Sequence, residues 1–422
     1  MLQSIRSMPP ASQVKFSSAV QVLCLLGLAF LAAASMSAQD IIMSAPRMPT
    51  IPLVLRDQLP PAPASLPPAP ADTPFKFGSV VLHPRLSYSY MNSEGLPAPD
   101  GRRIASEIYT VASGLSVDLG EHWSLDYSPT WVNYTSGAMS DSFDQSASLS
   151  GSYSIRDMGV HFSENYSQSS PTLVETGQQT KQKSSGTSLG ASYSYSPKVQ
   201  FQVSGSMNGQ RTDIATDTRS WSSSAALNLV LSPRFSLNLG SSFGYDEIAD
   251  APDMYNDGFN AAANWHPTDK LSIALSTGRQ FSHSTSSASV TLSNPLLNLN
   301  LGYQPFETTS VNFSVSRTVP PSYFKRQEAA TYRWSVGFNQ RLLTRFYFNA
   351  SYAPFDTTYT ATDTLTVAGR KDSVKSYNAG LSTQLFGRLS VSATFAKTQN
   401  NSNVSGFSFS SKQYGFRLSY SY

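Results

Sequence analysis

The chain has 422 residues, of which 14% are charged and 40% hydrophobic, with 30 basic residues against 27 acidic and a net charge of +3. Soluble domains average about 25% charged and about 45–50% apolar, and the shortfall in both classes is made up here by serine, threonine, asparagine and glycine, which suit a sheet whose second face is wet without being ionic. A near-neutral chain with no basic run offers no electrostatic case for nucleic acid, and a single cysteine excludes a disulfide framework and a thiolate metal site.

Residues 1–38 have the order of a secretory signal. Arg6 and Lys15 precede the apolar run Ala19 to Ala34, and the small residues Ser35, Ser37 and Ala38 follow it. The run is short for a membrane-crossing helix and contains Gln21. Cys24 lies inside this run with no small-residue lipidation motif before it, so the mature chain is expected to have no cysteine, and 28 basic residues against 27 acidic.

Residues 39–77 read as a linker. Pro49, Pro52, Pro60, Pro61, Pro63, Pro67, Pro68 and Pro70 remove backbone donors and favour extended polyproline II, which suits a semi-rigid periplasmic tether.

From residue 78 to 422 one pattern recurs: an alternating segment, a very short turn, another alternating segment, a longer polar loop. Short turns are expected at Gly120–His122, Arg156–Met158, Ser196–Lys198, Ser232–Arg234, His266–Lys270, Gln304–Thr308, Leu342–Thr344 and Phe386–Arg388. Longer loops are expected near Pro97–Gly101, Gly137–Asp141, Pro171–Lys183, Asp213–Asp217, Asp246–Asp253, Ser284–Ser287, Pro320–Arg326, Thr358–Gly369 and Asn400–Ser405. Strict alternation of short and long connections is the asymmetry of a membrane barrel. The expected fold is all-β: a transmembrane antiparallel up-and-down β-barrel of about eighteen strands, with both termini periplasmic.

The faces support this. Phe235, Leu237, Leu239, Phe243 and Tyr245 alternate with Ser236, Asn238, Gly240, Ser242 and Gly244. Trp123, Phe201, Phe235, Trp265 and Phe346 recur beside the short turns, where an interfacial girdle belongs. So wide a barrel is too large to fill with serine and glycine, so its polar face should line water and its greasy face meet lipid.

Chemistry is sparse. The five histidines (His83, His122, His161, His266 and His283) show no metal-binding spacing, and no serine stands out as a nucleophile, so neither an enzyme nor a cofactor is expected. Asp246, Glu247, Asp250, Asp253 and Asp257 lack the spacing of a calcium loop and read as a solvated loop. Arg279, Arg317, Arg333 and Asn339 are the pore-lining candidates. Lumen arginines bias a pore toward anions, although such residues also brace a wall by pairing with acids such as Asp126. Tyr109 and Tyr347 are the inward aromatics that a sugar path would use.

The alternation runs to the last residue, with Tyr414, Phe416, Leu418, Tyr420 and Tyr422 on one face. Nothing blunts this strand as an edge, so it is expected to pair on both sides, its second partner lying near Val80–Tyr90. Gln413, Gly415, Leu418, Tyr420 and Tyr422 resemble the C-terminal assembly signal of Gram-negative outer-membrane barrels, with tyrosine where phenylalanine usually stands last. From about Gly78 the chain resembles porin-like barrel families, including those found beside exopolysaccharide genes. That resemblance implies recognition by the barrel-assembly machinery, insertion among outer-membrane lipids and passive diffusion of small hydrophilic solutes. A pore or scaffold for exporting a surface polysaccharide, and an adhesion barrel displaying its loops, are the alternative readings.

Overall fold

The computed structural model describes residues 75–422 except 99–101, 174–178, 214–216, 250, 286–290, 320–326, 344 and 362–368. The expected secretory segment and residues 39–74 of the linker lie outside the described residues. So do residue 250 of the acidic stretch and parts of several of the longer loops.

Nineteen strands follow one another: β1 (Lys76–Phe77), β2 (Val80–Pro97), β3 (Arg103–Leu119), β4 (Trp123–Tyr134), β5 (Ser142–Ile155), β6 (Met158–Ser169), β7 (Gln182–Ser196), β8 (Val199–Thr212), β9 (Thr218–Ser232) and β10 (Phe235–Ile248), then β11 (Met254–Thr268), β12 (Leu271–Ser284), β13 (Leu292–Phe306), β14 (Thr309–Thr318), β15 (Gln327–Leu342), β16 (Phe346–Ala361), β17 (Lys371–Leu385), β18 (Leu389–Ser402) and β19 (Phe409–Ser421). Each strand from β2 onward pairs antiparallel with its sequence neighbours, and β19 pairs back onto β2. The wall is therefore a closed antiparallel barrel of eighteen strands, β2 to β19.

Closure is made by the segment that the alternation at the C-terminus singles out. Ten residues are in register, from Lys412 opposite Glu94 to Ser421 opposite Arg85. The closed ladder leaves no unpaired edge, the condition for a sheet to stand in a solvent without hydrogen-bond partners. β1 is a short addition: Lys76 and Phe77 fold back on Val81 and Val80 through Gly78, whose φ of 63° is left-handed.

Two- or three-residue turns close one end of the barrel and connections of five to twelve residues close the other. At Phe386 and Gly387 two consecutive left-handed residues, φ 51° and 74°, make the tight reversal that a twisted hairpin needs. Both β2 and β19 have their outer termini at the turn end, where Phe75 meets Tyr422 edge-on at 4.9 Å.

Directly opposed residues share a face, so the register assigns every side chain. Leu86, Leu125, Leu189, Val203 and Phe259 are exposed on one face. Met91, Ile108, Val132, Phe355 and Val374 are buried on the other, at 0–7% exposure. A single-layer wall can bury side chains only on its concave side, so the exposed apolar set faces outward and the serine-rich set lines the lumen. Trp123, Phe201, Trp265 and Phe346 are exposed on the outer face beside the turns, as an interfacial girdle requires.

Candidate functional site in the barrel lumen

The inner wall is built from small hydroxyl and amide side chains in register. Ser124–Ser150, Ser163–Ser188, Ser167–Ser184, Ser204–Ser224, Ser206–Ser222 and Ser314–Ser335 each share a hydroxyl hydrogen bond of 2.7–2.8 Å across neighbouring strands. This accounts for the serine excess: paired hydroxyls keep a hydrophilic wall without fixed charge. In the turn-end half, Asn264, Asn300, Asn312, Ser314, Ser335 and Ser351 are among the residues lining a cavity of about 340 Å³.

The pore-lining candidates divide between the two faces. Arg333 is opposed by Ser316 and Phe355, and Asn339 by Ser310 and Asn349, which places both on the lumen side. Arg279 stands opposite Phe259 and Pro295, and Arg317 opposite Leu297 and Tyr332, which puts these two on the outer face. The expectation that they line the pore is corrected accordingly. Near the loop end of the outer face, Arg279 Nε donates to Ser293 Oγ at 2.7 Å and Arg317 donates to the Pro295 carbonyl. Strand parity carries the signal that places them: Arg279 alternates in phase with Leu275 and Phe281, and Arg317 with Phe313 and Val315.

Among the described residues Arg333 has no acid to brace against. Its guanidinium carbon lies 4.8 Å from the centre of the Phe355 ring, and its Nη2 is buried without a hydrogen-bond partner. Asp126 pairs instead with Arg85. Of the two inward aromatics, Tyr347 is on the lumen side opposite Ser382, whereas Tyr109 is opposite Tyr90 and turns outward, where its hydroxyl donates to Glu107 at 2.8 Å.

The loop end of the lumen is greasier than the sequence pattern implies. Met91, Leu96, Ile108, Val132, Phe355, Val374 and Phe409 form a buried apolar cluster on the inner face, with Ile104 and Tyr134 packed against it. Loop residues are buried at this end as well: Met139, 5% exposed, lines a cavity with Met91, Leu96 and Ile108, and Leu173 is 1% exposed. Gln179 fastens two loops together, accepting from the Ser140 amide at 2.9 Å and donating to the Ser140 carbonyl at 2.8 Å. Arg103 donates to the Ser408 carbonyl at 2.6 Å, joining the start of β3 to the β18–β19 connection. Arg370 makes a two-pronged contact with buried Asp372 at 2.5 and 3.0 Å and lies 3.6 Å over the Phe407 ring.

The described acids of this stretch do not converge on one point. Asp246 is buried on the inner face and accepts from Asn256 at 2.6 Å, Asp253 accepts from the Tyr245 hydroxyl at 2.6 Å, and Asp257 faces outward 3.4 Å from His283. Among the described residues no group of three or more potential ligands could hold a metal ion.

The C-terminal residues that resemble an assembly signal divide by face. Leu418, Tyr420 and Tyr422 belong to the outer, apolar set, while Gln413 and Gly415 face the lumen opposite Ser93 and Met91. Gly415 has a packing reason of its own, because a Cβ there would lie 2.0 Å from the Tyr90 carbonyl oxygen.

Closure, girdle and wet inner wall decide the architecture. The fold is that of an outer-membrane β-barrel. No protein-family model matches the chain, and no curated protein matches it. Solved structures with a similar course are the FrpB iron transporter of Neisseria meningitidis, at 12% identity over 76% of this chain with TM-score 0.48, OccAB3 of Acinetobacter baumannii, at 11% over 81% with TM-score 0.47, and the outer-membrane protein opdK of Pseudomonas aeruginosa, at 10% over 81% with TM-score 0.46. The alignments span 61% of the first and 99% of each of the other two.

Proposed function

We propose that this barrel is an outer-membrane channel for the passive diffusion of small hydrophilic solutes, and not an enzyme. The observation that carries this is the inner wall, in which cross-strand serine pairs and asparagines replace the interdigitated apolar side chains of a filled barrel. The turn end, with both strand termini, faces the periplasm, and the longer loops face outward. The first 38 residues direct secretion, the barrel-assembly machinery inserts the wall, and residues 39–74 form a periplasmic tether. A sugar-conducting export path would draw support from a ladder of inward aromatics, and Tyr109 does not contribute to one.

Conductance of the full chain in planar bilayers, with and without residues 39–74, tests this reading. Steady open channels from both proteins are expected. Current only after deletion would mean that the segment plugs the lumen, and silence from both proteins would overturn the channel.

A further inference from the structure

A second cavity, about 190 Å³, lies in the loop-end half of the lumen between β2, β3, β4 and β19. Its wall has two chemistries. Met91, Leu96, Ile108 and Met139 supply a buried apolar surface. Against it stands Arg417, opposite Ser89 and Ser392 on the inner face, with a buried Nε that has no hydrogen-bond partner. Among the described residues Arg417 makes no hydrogen bond or ion pair, and no carboxylate lines the cavity. Nearby Arg85, by contrast, is taken up by Asp126.

Arg417 is half-buried, with its Nε fully buried and unpaired, and a desolvated guanidinium without a counter-charge is costly unless an anion visits it. The guanidinium fork matches a planar carboxylate, and its donors bind an anion more strongly than they bind a neutral acceptor. The space beside it, about 190 Å³, suits a compact apolar body, since a cavity of about 150 Å³ holds a benzene ring.

We propose that this cavity is a binding site for a small monoanion with a compact apolar body, such as a carboxylate on a ring or short chain, with Arg417 taking the carboxylate and the Met91–Ile108 surface the body. This rests on the channel reading for its physiological meaning: the site gives a general pore a preferred class of solute, held at the loop end of its path. Arg333, on the same inner face but on the Phe355 side, has a guanidinium that likewise meets no carboxylate among the described residues.

The test is calorimetric titration of the full chain in detergent with benzoate and with its neutral isostere benzamide. Folding is monitored separately by the heat-dependent gel mobility of the barrel. Saturable benzoate binding is expected, with benzamide at least about tenfold weaker. Arg417→Gln should abolish that preference and Arg417→Lys should keep part of it. Ala112→Leu, which fills the cavity and leaves the arginine in place, should weaken both ligands. Equal binding of the two ligands, or an unchanged preference in folded Arg417→Gln, overturns the proposal, as does the absence of saturable binding to the folded wild type. Conductance without benzoate binding removes the site and leaves the channel; binding without conductance removes the channel and leaves the site.

Discussion

Arg85 on β2 reaches across the whole of β3 to hold Asp126 on β4, with Nη1 and Nη2 at 2.6 and 2.7 Å from the two carboxylate oxygens. The bridge exists because the residue beneath it is Gly114: a Cβ there would lie 2.5 Å from the Arg85 Nε. A glycine, an arginine and an aspartate on three strands form one device, cross-linking the inner wall near the point where the barrel closes.

Gly114→Val should therefore break the pair as surely as Arg85→Met does. Arg85 and Asp126 are partly exposed, at 41% and 30%, so solvent screening limits the loss to about 1 kcal/mol in each case. Urea unfolding in lipid vesicles would measure it. The double variant should lose no more than either single one, and additive losses would show that Gly114 acts by some route other than Arg85.

Closure makes a sharper prediction at Gly415. A side chain there would meet the Tyr90 carbonyl oxygen at 2.0 Å and the Met91 Cα at 2.8 Å. Both contacts are with backbone atoms that a rotamer change cannot move. Gly415→Val should block β19 from docking on β2 and abolish the compact, heat-modifiable band on a gel, whereas Tyr422→Phe should leave that band intact. A folded Gly415→Val barrel would mean that β19 closes in another register.

The sequence disclosed the wall but not its furniture, for physical reasons. Eighteen strands were countable because tight turns and polar loops have their own chemistry, and all eight short turns and nine longer loops fall where that chemistry put them, within a few residues. Which arginines face water needed strict attention to parity. Arg279 and Arg317 sit in phase with phenylalanines and leucines, and nearness to a loop is no guide to the side on which a residue lies. Arg85 and Asp126 are 41 residues apart; no local pattern announces such a pair, since it depends on register over three strands. The apolar belt at the loop end was hidden because Met91, Ile108, Val132 and Phe355 occupy positions that the alternation reserves for polar residues. Large apolar residues out of phase near the loops were the available signal.

Register also exposes a weakness on the outer face. Lys397 and Lys412 stand directly opposite each other on β18 and β19, and neither is in an ion pair among the described residues. Like charges so placed are destabilising. Lys397→Glu should raise the resistance of the barrel to urea by about 0.2–1 kcal/mol, with the gain shrinking at high salt. No gain at low salt would show that Lys397 already has a partner in the membrane interface.

Arg333 is the lumen charge whose effect on current is most direct. Its guanidinium rests on Phe355 without a carboxylate, so its field in the pore is not cancelled locally. Arg333→Gln should lower the anion-to-cation permeability ratio, read from the reversal potential in a salt gradient. Arg279→Gln, on the outer face, should leave that ratio unchanged. Equal shifts from the two substitutions would place both side chains in the same field and contradict the register.

The loop between β4 and β5 should answer to acid. Asp141 accepts hydrogen bonds from the Tyr134 amide at 2.8 Å and from Asn133 Nδ2 at 3.0 Å, and these donors, the amide foremost, hold its carboxyl below the ordinary range. A carboxyl whose affinity for protons is lower in the folded state stabilises that state above its unfolded value of about 3.9, and the contribution is lost as pH falls through the depressed folded value. The Tyr134 amide resonance should therefore hold steady from neutral pH down to about 4 and move only below it. Asp141→Asn should remove that movement, because no proton is then taken up next to the amide. A midpoint at or above the ordinary carboxylate value in the wild type would show that the two bonds are too weak to pin the loop.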